Sequence, residues 1–310
     1  MRRGNGLVLT AFLLFLAACG KPAYPRVSLA EAGTPAPTAN PGEPRKLPLR
    51  IAIAAVISPQ ATLDAYGPLL DYLSTKLDRP VQLIQRNTYA EINELIRSGG
   101  ADLAFVCGGA YVEGQREFGM ELLVAPEVRG ETTYYSYLIV PRDSTAQSLV
   151  DLRGHSFAFS DPLSNSGHLA PQWMLYEISE NPETFFSSTL FTYSHDNSIR
   201  AVADHLVDGA AVDSLVYDYT IARDPTFSRR TRVIDKAGPF GIPPVVVHPD
   251  LDPALKTQLR TVLVAIADDP TGRAALDTLM IDRFVAVDDS AYDSIRNMAA
   301  ILRGWDAASP

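Results

Sequence analysis

Three short segments carry side chains able to act together on a small anion. The first, Asp161-Pro162-Leu163-Ser164-Asn165-Ser166-Gly167-His168, gathers hydroxyls, an amide and a glycine just before a run of helical spacing. A turn of that kind aims backbone N–H groups, hydroxyl donors and the positive end of a helix dipole at one spot, which suits an oxyanion. The same residues also read as plain helix caps, with Ser164 or Ser166 accepting from the first turn. The second segment, Ser194-His195-Asp196-Asn197-Ser198, again precedes a helix. His195 has a ring N–H to offer an anion, or is a surface residue, while Asp196 or Ser198 caps. The third, Ala210-Ala211-Val212-Asp213-Ser214, ends an apolar strand on a carboxylate. Asp213 either accepts from a ligand or caps the helix from Leu215. Ser166, His195 and Asp213 are also the types of a nucleophile, a base and an orienter. Yet the chain has no Gly-x-Ser-x-Gly elbow and no close-spaced His or Cys pair for a metal. Binding without catalysis, cofactor or metal is the expectation.

The elements that must position these segments alternate between strand and helix. Strands are expected at 49–57, 81–85, 101–106, 120–128 and 134–140, with helices at 63–77 and 89–97. Gly108-Gly109-Ala110-Tyr111 reads as a loop after the third strand, and Ser58–Thr62 as a loop after the first. The rhythm restarts with strands at 156–160, 190–193, 209–212 and 232–234, and helices at 169–179, 198–207 and 215–223. A return strand at 245–248 and helices at 253–268, 271–280 and 290–303 complete the pattern. This is an α/β chain of two similar units, crossed near 130–140 and back near 238–246. Ligands of such folds sit outside the carboxyl ends of strands, where the three segments lie.

The N-terminal 48 residues are of another kind. Arg2 and Arg3 precede an apolar run from Leu7 to Ala18, too short to span a bilayer and of the length of a signal-peptide core. Leu16-Ala17-Ala18-Cys19 resembles a lipobox, so residues 1–18 are expected to be a lipoprotein leader and Cys19 the lipidated residue. Residues 19–48, rich in proline, read as a tether that cannot bury enough surface to fold. Residues 49–135 plus 243–310 would form one lobe and 136–242 the other. The net charge of −9 and the lack of a basic stripe exclude a nucleic-acid partner. Cys107, at the end of an apolar strand, reads as a small buried hydrophobe with no disulfide partner once Cys19 is acylated.

The order of these loops resembles the phosphate/phosphite/phosphonate-binding proteins of ABC importers, a family with the type II periplasmic binding protein fold. The resemblance rests on Ala101–Val112, Gly130–Ser144, Asp151–Pro171, His195–Ile199 and Gly209–Ser214. It implies a two-lobed α/β fold with two crossover segments. It also implies that Ser164, Asn165 and Ser166 hold oxyanion oxygens, His195 donates to another, Tyr111 closes over the ligand and Asp213 faces its remainder. Asn165 departs from the family's common threonine, a frequent proline near Gly108-Gly109 is absent, and His168 replaces an aromatic. The implied protein is a monomer on the periplasmic or extracellular face, lipid-anchored to the membrane through Cys19. It would capture a phosphonate, phosphite or phosphate by lobe closure and deliver it to ABC permease and ATPase subunits. The alternatives keep the fold: a different anion, or a ligand-sensing module of a signalling system.

Overall fold

The computed structural model describes residues 47–308. The expected leader, the lipidation residue Cys19 and all but the last two tether residues lie outside the described residues. The first sheet is built from β1 (Leu49–Ile53), β2 (Val81–Gln85), β3 (Leu103–Phe105), β4 (Glu121–Glu127), β10 (Val245–Val247) and β11 (Arg283–Val285). Its order is β11-β4-β10-β3-β1-β2, with β1 parallel to β2 and β3 and with β10 antiparallel to β3 and β4. The second sheet, in the order β7-β6-β8-β5-β9, joins β5 (Thr133–Pro141), β6 (Ser156–Phe159), β7 (Ser188–Phe191), β8 (Gly209–Asp213) and β9 (Thr231–Gly241). The chain passes between sheets in two places, after β4 and before β10. Those two crossovers run side by side, because Thr133 pairs with Gly241 and the Ile242 N–H donates to the Thr132 carbonyl at 3.0 Å.

Helices cover both faces of each sheet. In chain order they are α1 (Pro59–Lys76), α2 (Tyr89–Arg97), α3 (Gly108–Phe118), α4 (Ala170–Glu177) and the short α5 (Pro182–Phe185). Then follow α6 (His195–Ala203), α7 (Ser214–Arg223), α8 (Thr226–Arg230), α9 (Pro253–Ala265), α10 (Pro270–Leu279) and α11 (Asp293–Ala308). Leu49, Ile51, Leu103 and Val245 are fully buried under α1 and α9, and Phe157, Leu175 and Phe185 likewise in the second unit. Each such side chain removed from water is worth about 1.5–3 kcal/mol. The near-continuous apolar strands follow from burial on both faces.

The segment expected to be a loop at Gly108–Tyr111 is instead the first turn of α3. Glycine is a poor helix former, but here close packing requires it: a Cβ on Gly109 would lie 2.4 Å from the Leu163 carbonyl oxygen. Strand β9 is far longer than the expected 232–234, because its half-exposed residues carry no apolar alternation. The helix expected from Ser198 starts at His195, and β11 is too short to leave a pattern.

Candidate functional site

Strand β6 ends at the junction between the sheets, and Ser160 and Asp161 follow it. From Asn165 to Leu169 the chain makes a single π-turn, with the Leu169 N–H reaching the Ser164 carbonyl at 3.0 Å before α4 begins. Such widened turns are common at functional positions. Ser164 is the N-cap, its Oγ accepting from the Gly167 N–H at 3.0 Å. Gly167 is obligatory there, since a Cβ would fall 1.8 Å from Ser160 Oγ.

His195 is the first residue of α6 and is fully buried. Its Nδ1 accepts the backbone N–H of Asp213 at 3.1 Å, so the ring proton resides on Nε2. Nε2 lies 3.5 Å from Ser164 Oγ. Burial drives the His195 pKa down to about 3, so the imidazole is neutral. With the Gly167 N–H directed at Ser164 Oγ that hydroxyl keeps its own proton to donate, and the long 3.5 Å approach leaves the His195 Nε2–H able to turn to a ligand.

Asn165 spans the junction. Its backbone N–H donates to Cys107 Sγ at 3.3 Å, and its Nδ2 to the Tyr134 hydroxyl at 3.0 Å. A half-turn of the amide would let Tyr134 donate to Oδ1 and turn the NH2 toward the pocket. Ser166 gives its carbonyl to Ser136 Oγ at 2.6 Å and leaves its own hydroxyl unpartnered. Among the described residues, six buried side-chain polar atoms lack a partner. Five of them, the Tyr89 hydroxyl, Ser160 Oγ, Asn165 Oδ1, Ser166 Oγ and Ser194 Oγ, belong to these loops or to their neighbours. A buried polar group left alone costs about 1–3 kcal/mol, and five together mark a place made to be filled.

Asp213 caps α7, as its capping reading required: Oδ1 accepts the Leu215 and Val216 N–H groups at 2.7 and 3.3 Å. Burial raises its carboxyl to about 7, and among the described residues its other oxygen makes no hydrogen bond. The structure thus brings Ser164, Asn165, Ser166, His195 and Asp213 together. It places the Tyr111 hydroxyl elsewhere. That hydroxyl donates to Asp289, whose carboxylate also takes Gln115 and Arg296, and the ring packs edge-on against Tyr292 at 4.8 Å. Sequence reasoning missed Tyr89, Tyr134 and Ser160, and gave Ser194 no role within its loop. Tyr89 follows β2 and the N-cap Thr88, so a search of every loop after a strand would have found it. Tyr134 lies inside an apolar strand and left no signal.

Hydrogen bonds tie the two units together around this pocket. The Tyr89 N–H donates to Asp161 Oδ2 at 3.1 Å, Asn165 N–H to Cys107 Sγ, His195 N–H to the Val56 carbonyl at 3.0 Å, and Ser58 N–H to Asp196 Oδ1 at 3.0 Å. Ser164, Asn165, Ser166 and His195 are all 0 % exposed.

A family model for the periplasmic substrate-binding proteins of phosphonate ABC transporters matches residues 51–292. The chain is 26 % identical over 258 residues to a phosphate-import protein, PhnD, of Mycolicibacterium smegmatis, covering 76 % of this chain and 80 % of that one. In fold it is similar to a binding protein component of an ABC phosphonate transporter from Pseudomonas aeruginosa, with a TM-score of 0.80 and 24 % identity. That match covers 85 % of this chain and 89 % of the other. It is also similar to PhnD1 of Prochlorococcus marinus, solved with methylphosphonate, with a TM-score of 0.75 and 18 % identity over 82 % and 98 % of the two chains.

Proposed function

The chain belongs to the family of periplasmic substrate-binding proteins of phosphonate ABC transporters, and from that premise we propose that the pocket at Ser164–Gly167 and His195 holds the oxyanion head of a phosphonate, phosphite or phosphate. The family is one of transport proteins and not of enzymes, it acts on the periplasmic or extracellular face, and its partners are the importer's membrane and ATPase subunits. The observation that carries the proposal is the set of unpartnered buried polar atoms beside the neutral His195.

The chemistry follows from donors without charge. Ser164 O–H, Ser166 O–H, the Asn165 amide, the Tyr89 hydroxyl and His195 Nε2–H stabilise a dianion as dipoles, and no lysine or arginine has to be desolvated. Asp213, with a carboxyl raised to about 7, donates to a ligand oxygen when protonated and repels the anion when ionised. Closure is part of the proposal. Ligand bound to the loops of the second unit favours the state in which Tyr89, Cys107 and Gly109 meet it from the first, because only that state adds contacts. Tyr111 acts there as a support for α3.

In the same reading Cys19 is acylated after cleavage at Ala18, and the monomeric body is held to the membrane by the tether. The basic start and the Leu7–Ala18 run support this. Replacement Cys19→Ser should release the protein from the membrane fraction; an unchanged distribution refutes the anchor.

Calorimetric titration with phosphate, phosphite, methylphosphonate, aminoethylphosphonate and sulfate tests the ligand class. At least one phosphorus oxyanion is expected to bind one to one and to raise Tm by mass action. Binding of sulfate alone, or of none of them, defeats it.

A further inference from the structure

Beside the oxyanion pocket lies an apolar chamber of about 140 Å³ that the oxyanion chemistry does not use. Its walls come from both units: Tyr66, Phe105 and Phe284 on one side, Leu215 and Val216 on the other, with Val128 and Pro243 of the crossovers between them. The three rings form a continuous edge-to-face series, with centroids 5.2 Å apart for Tyr66–Phe105 and 6.2 Å for Phe105–Phe284. A dry apolar cavity of about this size takes up a molecule as large as benzene.

Asp213 joins the two spaces. Its backbone N–H holds His195, and its side chain lines the chamber. Its charge acts on the Tyr89 and Tyr134 phenols on the oxyanion side and on Tyr66 on the chamber side. Ala54, Val106 and Leu215 likewise belong both to the chamber wall and to the cluster that packs around Tyr89, Tyr134 and Cys107. A group bonded to a phosphorus atom at the Ser164 loop therefore has an apolar direction in which to extend, past Asp213.

We propose that this chamber is a substituent subsite, and that the protein takes organophosphonates bearing a compact apolar alkyl or aryl group rather than inorganic oxyanions. This rests on the oxyanion assignment made above. Inorganic phosphate or phosphite would leave the chamber unfilled, whereas a carbon substituent gains its whole transfer energy there. Shape also contributes to closure, since the chamber has walls from both units and a tail within it touches both only when they are together.

The test is a calorimetric series on the full chain in lipid nanodiscs, with phosphite and the methyl, ethyl, propyl, butyl and phenyl phosphonates. Affinity is expected to rise about fourfold per methylene up to propyl or butyl. The replacement Leu279→Trp, on a chamber wall of α10 that contributes nothing to the oxyanion pocket, should abolish that rise and leave phosphite within twofold of the unmodified protein. Affinities that stay flat or fall from methyl to butyl, while phosphite binds, overturn the subsite and leave the oxyanion assignment standing. If neither phosphite nor any phosphonate binds, the oxyanion assignment fails and the subsite falls with it. Because the chain-length series needs no variant, a misfolded Leu279→Trp protein does not spare the proposal.

Discussion

Two buried tyrosines of one apolar cluster in the first unit have opposite surroundings. The Tyr111 hydroxyl is saturated: Asp289 accepts its proton, and Gln115 and Arg296 complete the network, with Arg296 Nη2 2.7 Å from Gln115 Oε1. Among the described residues the Tyr89 hydroxyl has no partner, and neither do Ser160 Oγ, Ser166 Oγ or Ser194 Oγ. A saturated buried cluster is complete without a ligand and contributes to stability. An unsaturated one costs stability until something from outside supplies its bonds. The contrast separates support from recognition more sharply than residue type does, since both clusters contain the same phenol.

The replacement that should hurt recognition most is His195→Ala. It removes the one ring donor from the oxyanion, a charge-assisted bond worth about 1.5–3 kcal/mol, so affinity should fall on the order of 10- to 150-fold by calorimetry. Ser166→Ala should follow it closely with the ligand-free Tm barely changed, whereas His195→Ala also strips the Asp213 N–H of its acceptor and lowers the ligand-free Tm. A large drop in the ligand-free Tm of Ser166→Ala would move that residue to the supporting side of the contrast.

Asp213→Asn has an intermediate effect, and its sign depends on pH. The folded carboxyl is raised from 3.8 to about 7, so its favourable contribution is full below about pH 4 and is lost as pH rises through 7. Asparagine keeps the cap and has no charge to desolvate. The variant should match the parent near pH 4 and exceed it at pH 8 by on the order of 2–4 kcal/mol in denaturant unfolding. Anion affinity in the parent should weaken about tenfold more between pH 6 and 8 than in the variant, once the ligand's own titration is common to both. Parallel pH profiles would mean that the carboxyl does not face the anion.

The smallest effects make the sharpest test. Tyr89→Phe should leave ligand-free stability unchanged or raise it by up to about 1 kcal/mol, because an unpaired buried hydroxyl disappears, while affinity falls several-fold. Tyr111→Phe should do the reverse, costing about 1–2 kcal/mol of stability with affinity within twofold. Exchange of the two outcomes would dissolve the distinction.

Much of the architecture was legible because both sheets are made of short apolar strands punctuated by glycine and polar turns. Ser164, Asn165, Ser166, His195 and Asp213 were legible because each follows a strand and opens a helix, a local pattern. What a strand-and-loop reading cannot supply is how a side chain spends its donor. Tyr111 has the type and place of a ligand contact, but Asp289, 178 residues away in sequence and itself held by Arg296, takes its hydroxyl proton. Tyr134 was hidden for the opposite reason, being an aromatic in an apolar strand whose distinguishing mark is a contact to Asn165, 31 residues away. The α3 glycines misled because intrinsic propensity was overridden by packing across the junction.

That packing has a mechanical corollary. The atoms that crowd Gly109, the Leu163 oxygen and the Asn165 nitrogen, belong to the opposite unit, whereas those that crowd Gly167 belong to its own. A methyl group at Gly167 strains the protein in every state. If the units close as proposed, one at Gly109 is a wedge in a hinged jaw, harmless while the jaw gapes and obstructive only when it bites, so Gly109→Ala should slow uptake and favour release while every oxyanion-facing side chain stays in place.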